Sequence, residues 1–122
     1  LDGPWQEYHK NGNLKETGSY KNGKQDGSSK EYYDSGTLYS KGTYKDGKPF
    51  GFAELYDDQG KLEQKISFEM GIMEGYFPDG KLQFRGPFDK SFGLHGNVKF
   101  FDTLGRVSRI ETWIEGVKQK YD

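Results

Sequence analysis

The stretch GPWQEYHKNGNLKETGSYKNGK, residues 3–24, decides the fold, because its glycines and rings recur in GSSKEYYDSGTLYSKGTYKDGK, residues 27–48. Gly3, Gly27, Gly51 and Gly75 are spaced by 24 residues, and Gly96 follows after 21. A second series, Gly12, Gly36, Gly60, Gly80 and Gly105, trails the first by nine residues, or by five in the fourth unit. Gly23, Gly47, Gly71 and Gly116 form a third series and Gly18, Gly42 and Gly86 a fourth; of the 18 glycines only Gly93 is out of phase. A fixed period of this length is the signature of a repeat architecture. Five units follow, about residues 1–24, 25–48, 49–73, 74–94 and 95–122, in a single repeat domain.

The apolar positions keep the same phase. Tyr8, Tyr32, Tyr56 and Phe101 form one column, Leu14, Leu38, Leu62, Leu82 and Val107 a second, and Tyr20, Tyr44, Phe68, Phe88 and Trp113 a third. Each unit reads as two short strands, each followed by a turn. Asn11-Gly12, Asn22-Gly23, Ser35-Gly36, Asp46-Gly47 and Asp79-Gly80 are turn dipeptides, since Gly takes positive φ freely and Asn or Asp tolerate it. The glycine density excludes helix. A three-residue loop with a bulge at Gly12 pairs Tyr8 with Leu14. Parity then predicts that Leu14, Gly18 and Tyr20 share one apolar face with Tyr8, and that Gly18 leaves a gap for a neighbouring ring. On this count Trp5 falls on the opposite, polar face, at the position of Ser29, Ala53 and Val98.

Composition limits what such a chain can be. Hydrophobic residues make up 31% and aromatics 16%, so rings supply about half of the apolar complement and a thick aliphatic core is excluded. Net charge is −1, with 18 basic against 19 acidic residues, which argues against nucleic acid as a partner. There is no Cys, hence no disulfide, and the compartment stays open. No apolar run approaches the length of a membrane span, no leader is seen before Leu1, and no polybasic segment favours a membrane surface; a soluble chain is expected.

No catalytic constellation is apparent. His9 and His95 occupy non-equivalent positions and read as solvated turn residues, no phosphate loop or nucleophile elbow is present, and Asp57-Asp58 reads as a turn initiator. No cofactor and no metal site is expected. The in-phase rings belong to the scaffold, although an open ring-lined sheet also offers contact area. Residues that the repeat does not demand are the better candidates for partner binding: Tyr39 and Lys41 on the polar face, Lys65 and Arg85 at the Lys41 position of later units, and Trp5, Phe52 and Phe84. Lys41, Lys65 and Arg85 would form a basic ladder with members roughly 10 Å apart.

The pattern Gly3-x-Trp5-x-x-Tyr8-x-x-x-Gly12-x-Leu14-x-x-x-Gly18-x-Tyr20-x-x-Gly23-Lys24, with Gln25-Asp26-Gly27 opening the next unit, resembles the MORN-repeat variant of bacterial proteins across essentially the whole chain. The resemblance implies an all-β, elongated, twisted antiparallel sheet of consecutive hairpins, about ten strands. It also implies a non-catalytic scaffold for protein–protein interaction, and antitoxin members of the family extend this to a neutralising partner for a toxic protein. The alternative reading is a carbohydrate- or membrane-surface-binding module of a cell-envelope or secreted protein. The terminal strands, around residues 3–8 and 110–114, are exposed edges expected to self-associate or to be capped.

Overall fold

The computed structural model of the chain describes residues 2–88 and 93–119. Its described strands are β1 (Gly3–Tyr8), β2 (Leu14–Lys21), β3 (Lys24–Gln25), β4 (Gly27–Tyr32), β5 (Leu38–Lys45), β6 (Lys48–Tyr56), β7 (Leu62–Ser67), β8 (Ile72–Tyr76), β9 (Leu82–Pro87), β10 (Gly96–Phe101), β11 (Val107–Ile114) and β12 (Val117–Lys118). The fold is all-β, with antiparallel pairing and no helix among the described residues. Ten of the strands are those the repeat implies, and the two-residue β3 and β12 are added by the Gly23 and Gly116 turns. The chain divides into two compact units, Leu1–Leu62 and Glu63–Asp122. In the first, the strand order is β1-β2-β4-β5-β6 with β3 on β2; in the second it is β7-β8-β9-β10-β11-β12.

Four of the described hairpins, β1–β2, β4–β5, β8–β9 and β10–β11, close in the same way. Tyr8 pairs with Leu14, Tyr32 with Leu38, Tyr76 with Leu82 and Phe101 with Val107, which is the register of the three-residue loop. The His9 N–H donates to the Asn13 carbonyl at 2.8 Å and the Gly12 N–H to the His9 carbonyl at 2.9 Å, with Gly12 at φ 92°. Asp57 Oδ1 accepts the Gln59 and Lys61 N–H groups, both at 2.9 Å, so it is the turn initiator its position suggested.

The same loop overturns the expected division of faces. Glu7 opposes Glu16, yet its neighbour Tyr8 opposes Leu14, so Lys15 is an extra, bulged residue that uses up one step of the alternation. Opposed residues share a face. Trp5 opposes Gly18 and therefore stands with Gly18 and Tyr20, not on the polar face. Tyr8 and Leu14 stand on the other side, where Gln6 opposes Thr17. Side-chain bonds agree: the Tyr8 hydroxyl donates to Gln6 at 2.7 Å, Tyr56 to Glu54 at 3.1 Å and Tyr76 to Glu74 at 3.0 Å. Parity counted straight through the bulge gives the wrong side. The two sides are called below the glycine face (Trp5, Gly18, Tyr20) and the lysine face (Gln6, Thr17, Lys41).

On the glycine face the expected gap is filled by Trp5 itself. A Cβ on Gly18 would lie 3.0 Å from Trp5 Nε1, and the indole sits 6.0 Å from the Tyr20 ring. In the first unit the central row runs Trp5, Gly18, Ser29, Gly42, Ala53. In the second unit the corresponding row is Ile66, Met73, Gly86, Val98, Glu111, and Ile66, Met73 and Val98 are the buried hydrophobic residues. Tyr8, expected in the scaffold core, is 59% exposed, because β1 is the outermost strand of its unit and no strand lies beyond it.

The fourth repeat is shorter for a local reason. Its first strand, β8, follows Gly71 directly, Met73 takes the Trp5 position opposite Gly86, and Gly75 falls at the Glu7 position opposite Phe84. Gly71 thus does the work of both the third-series and the first-series glycine. Gly75 is in phase by spacing but does not open the strand.

Candidate functional site

The lysine face of the first unit carries an open trough. Pro4, Gln6, Thr17, Ser19 and Ser28 line one depression of about 670 Å³, and Ser28, Lys30, Lys41, Thr43, Phe52 and Glu54 line a second of about 160 Å³. Ser28 belongs to both, and the backbones of Gly18 and Gly42 contribute to the floor. Five strands spaced about 4.8 Å apart make the trough roughly 20 Å long. Its hydroxyls are there because Thr17, Ser19, Ser28 and Thr43 alternate with the glycine-face residues along β2, β4 and β5.

Phe52 stands in this trough through an irregularity of β6. Gly42 opposes Ala53 while Thr43 opposes Phe50, so Gly51 and Phe52 are both extra to the ladder, with Gly51 at φ +73°. A side chain at Gly51 would be strained there. Phe52 is left 53% exposed. Next to it, the Lys45 ammonium lies 5.4 Å from the centre of the Phe50 ring, within cation–π range. Lys41 Nζ lies 3.5 Å from Glu54, and the charge on Tyr56 and then Glu54 hold the lysine above its ordinary ammonium pKa. Burial, above all, pushes the Tyr56 hydroxyl up.

The turn geometry and the glycine row decide the family. A family model described as the MORN repeat variant matches residues 1–22, 25–46 and 71–90, together more than half of the chain. The chain belongs to the MORN repeat variant family. No curated protein matches it. The matched stretches are the MORN units that keep glycine in the central row, at Gly18, Gly42 and Gly86, whereas the third and fifth units place Ile66 and Glu111 there. The third match starts at Gly71, where the structure opens the fourth MORN unit. MORN repeats are commonly non-catalytic modules.

The candidate partner-binding residues are dispersed over the scaffold. Lys41 and Phe52 meet in the trough, joined by Lys30, Thr43 and Glu54, which the sequence had not singled out. Trp5 lines the neighbouring depression while its ring packs on the glycine face; its Nε1 is buried and has no hydrogen-bond partner among the described atoms. Tyr39 is the bulged residue of its hairpin, and its ring meets Tyr33 edge-on at 5.1 Å. Lys65 and Arg85 both oppose Glu74, with Arg85 Nη1 3.6 Å from that carboxylate. The expected basic positions are therefore faced by acids within each unit: Glu54 opposes Lys41 in the first, and Glu74 opposes Lys65 and Arg85 in the second. Phe84 lies on the glycine face, where it occupies the space that a Cβ on Gly75 would need and stacks 5.8 Å from Phe100.

One charged cluster had no forerunner in the sequence reading. Glu111 takes the central-row position, with its side chain only 8% exposed, and bonds Arg109 Nε at 2.6 Å, Trp113 Nε1 at 3.1 Å and Lys118 Nζ at 3.3 Å. The Arg109 bond, ahead of the opposing effect of burial, holds this carboxyl below its usual range. The signal available was an acid in the Gly18 column flanked two residues away by Arg and Trp. The histidines differ from expectation in part. His9 is half-buried and donates from Nε2 to the Tyr32 carbonyl at 2.9 Å, while His95 stays exposed and its Nδ1 accepts the Glu115 N–H at 3.2 Å, so each also ties a turn to a neighbouring backbone segment.

Proposed function

We propose that the chain is a non-catalytic docking module that holds an extended segment of a partner protein in the trough of its first unit. The observation that supports this reading most is the Gly51-Phe52 bulge in β6, which sets Phe52 in a groove lined with hydroxyls and carrying Lys30, Lys41 and Glu54. The repeat needs no such ring, and an exposed aromatic beside polar anchors is the composition of a binding hot spot. A trough open along its length suits an extended chain better than a compact small molecule. Neutralisation of a toxic protein, the role implied by the resemblance to antitoxin-containing MORN variants, is one form of such docking.

Panning a random peptide display library on the wild-type chain tests this reading. Enrichment that Phe52→Ser and Lys41→Glu abolish, and that Phe84→Ser leaves intact, supports it. Enrichment unaffected by Phe52→Ser moves the site elsewhere. A glycan array read with the same variants addresses the carbohydrate alternative, which the hydroxyl lining and the Phe52 ring also suit; Phe52-dependent glycan binding without peptide binding would replace the protein-docking reading.

A further inference from the structure

Strand β1 of the first compact unit and β11 of the second carry complementary halves of a MORN join. Wherever the second strand of one hairpin receives the first strand of the next, two residue pairs recur. They are Glu16↔Glu31 with Thr17↔Lys30, Ser40↔Leu55 with Lys41↔Glu54, Gln64↔Gly75 with Lys65↔Glu74, and Phe84↔Phe100 with Arg85↔Lys99. For β2 with β4 and for β9 with β10 these two pairs are the whole ladder. By the hairpin registers, the same positions are Arg109 and Ile110 on β11, and Glu7 and Gln6 on β1.

Among the described residues, neither position has a strand paired to its outer edge. β12 pairs only with Trp113 and Ile114, just as β3 pairs only with Tyr20 and Lys21 on a strand that still accepts β4. Ile110 is 59% exposed on β11. At the other end β1 is outermost in its unit. Proline on an edge normally blocks strand addition because it lacks an N–H. Pro4, however, holds the position of Ser28 and Asn97, which lies outside both two-pair ladders.

Charge selects the pairing. Glu7, Glu16 and Glu31 stand in one row across β1, β2 and β4. Arg109 occupies that row on β11, 57% exposed in its side chain, and a guanidinium has five N–H groups of which the Glu111 bond through Nε uses one. A second β1 laid on a first would face acid with acid, and a second β11 would face cation with cation. Only β1 on β11 brings opposite charges together.

We propose that the chain associates head to tail with copies of itself, β1 of one copy adding to the outer edge of β11 of another, with Glu7 opposite Arg109 and Gln6 opposite Ile110. Such a join is heterologous, so it continues into longer assemblies or a ring and does not stop at a two-fold dimer. It uses the sheet edges and is independent of the trough.

Sedimentation velocity on the full chain over a wide concentration range, at low and high salt, tests the join. The average mass should rise with concentration, and less so at high salt, where the pair is screened. Glu7→Arg alone and Arg109→Glu alone should each abolish the rise. An equimolar mixture of the two variants should restore it, because the introduced cation of one then faces the introduced anion of the other; so should Glu7→Arg and Arg109→Glu combined in one chain. Restoration on mixing also separates a lost edge from lost folding, since Arg109 additionally bonds Glu111. A wild-type chain of constant mass, association insensitive to Glu7→Arg, or a mixture that stays unassociated would each overturn the proposal.

Discussion

The two compact units of this MORN protein use one hairpin plan with two different central rows. In Leu1–Leu62 the row is Trp5, Gly18, Ser29, Gly42, Ala53: small side chains, with a single indole laid over a glycine. In Glu63–Asp122 it is Ile66, Met73, Gly86, Val98, Glu111, and Val98 is wholly buried. Buried apolar area stabilises by roughly 25 cal/mol per Å². The second unit therefore has a side-chain core, however thin, while the first depends on its ladder hydrogen bonds, its turns and Trp5. The first unit gains a trough and carries the candidate site; the second gains buried apolar side chains. Glycine at the centre of a strand costs order but leaves surface to shape.

The contrast can be broken most sharply at equivalent glycines. A Cβ on Gly86 would lie 2.7 Å from Val98 Cγ2 and 3.0 Å from its Cα, so Gly86→Ala should cost roughly 3 kcal/mol by overpacking. On Gly42 the nearest atom is Ala53 Cβ at 3.4 Å, and Gly42→Ala should stay within about 0.5 kcal/mol. Urea midpoints of the two variants check the pair. Val98→Ala should cost about 2 kcal/mol in the same assay, whereas Ser29→Ala, at the corresponding position of the second repeat, should be close to neutral. Trp5→Ala comes next, at about 1.5 kcal/mol, since the ring is half-buried; segment-resolved hydrogen exchange should show faster exchange confined to β1 and β2.

Two carboxyls sharpen the comparison with opposite pH signatures. Glu111 is held low, so its contribution is complete above the unfolded carboxyl pKa and fades as pH falls through its depressed folded value. Glu16 is held high by burial and by the charges of Glu31 and Glu7, so its ionisation opposes folding and that penalty fades as pH falls. Glu111→Gln should therefore destabilise at pH 7 and have little effect at pH 3. Glu16→Gln should stabilise slightly at pH 7 and do nothing at pH 3. Denaturation at the two pH values, with each variant beside wild type, reads both signs.

Much of this was legible in the sequence, for identifiable reasons. The Tyr8–Leu14 register followed from one loop length, and the ring over Gly18 from the absence of a side chain there. The faces did not follow, because Lys15 looks like any strand residue until its partner is known. Glu54 and Glu74, which neutralise Lys41 and Arg85, belong to pairings between hairpins, and a pattern within one unit does not encode which strand comes next. Phe52 is subtler still. Residues 47–51 have the same length as 23–27, and Gly51-Phe52 stand out of the ladder as Gly27-Ser28 do, so a ring takes the place of a serine; with Pro49-Phe50 for Gln25-Asp26, β6 runs unbroken where β3 and β4 part at Asp26.

The merger of two glycine roles in Gly71 bears on how such a chain is inherited. Although Gly71 stands for two glycines that earlier repeats keep four residues apart, β8 keeps four ladder pairs to β7. A gene encoding this protein can thus lose or gain codons between hairpins, or recombine unequally by a whole 24-residue repeat, without orphaning a backbone group. Copy number is then a variable that selection can adjust almost independently of folding. The trough on the first unit need not be rebuilt each time the array lengthens.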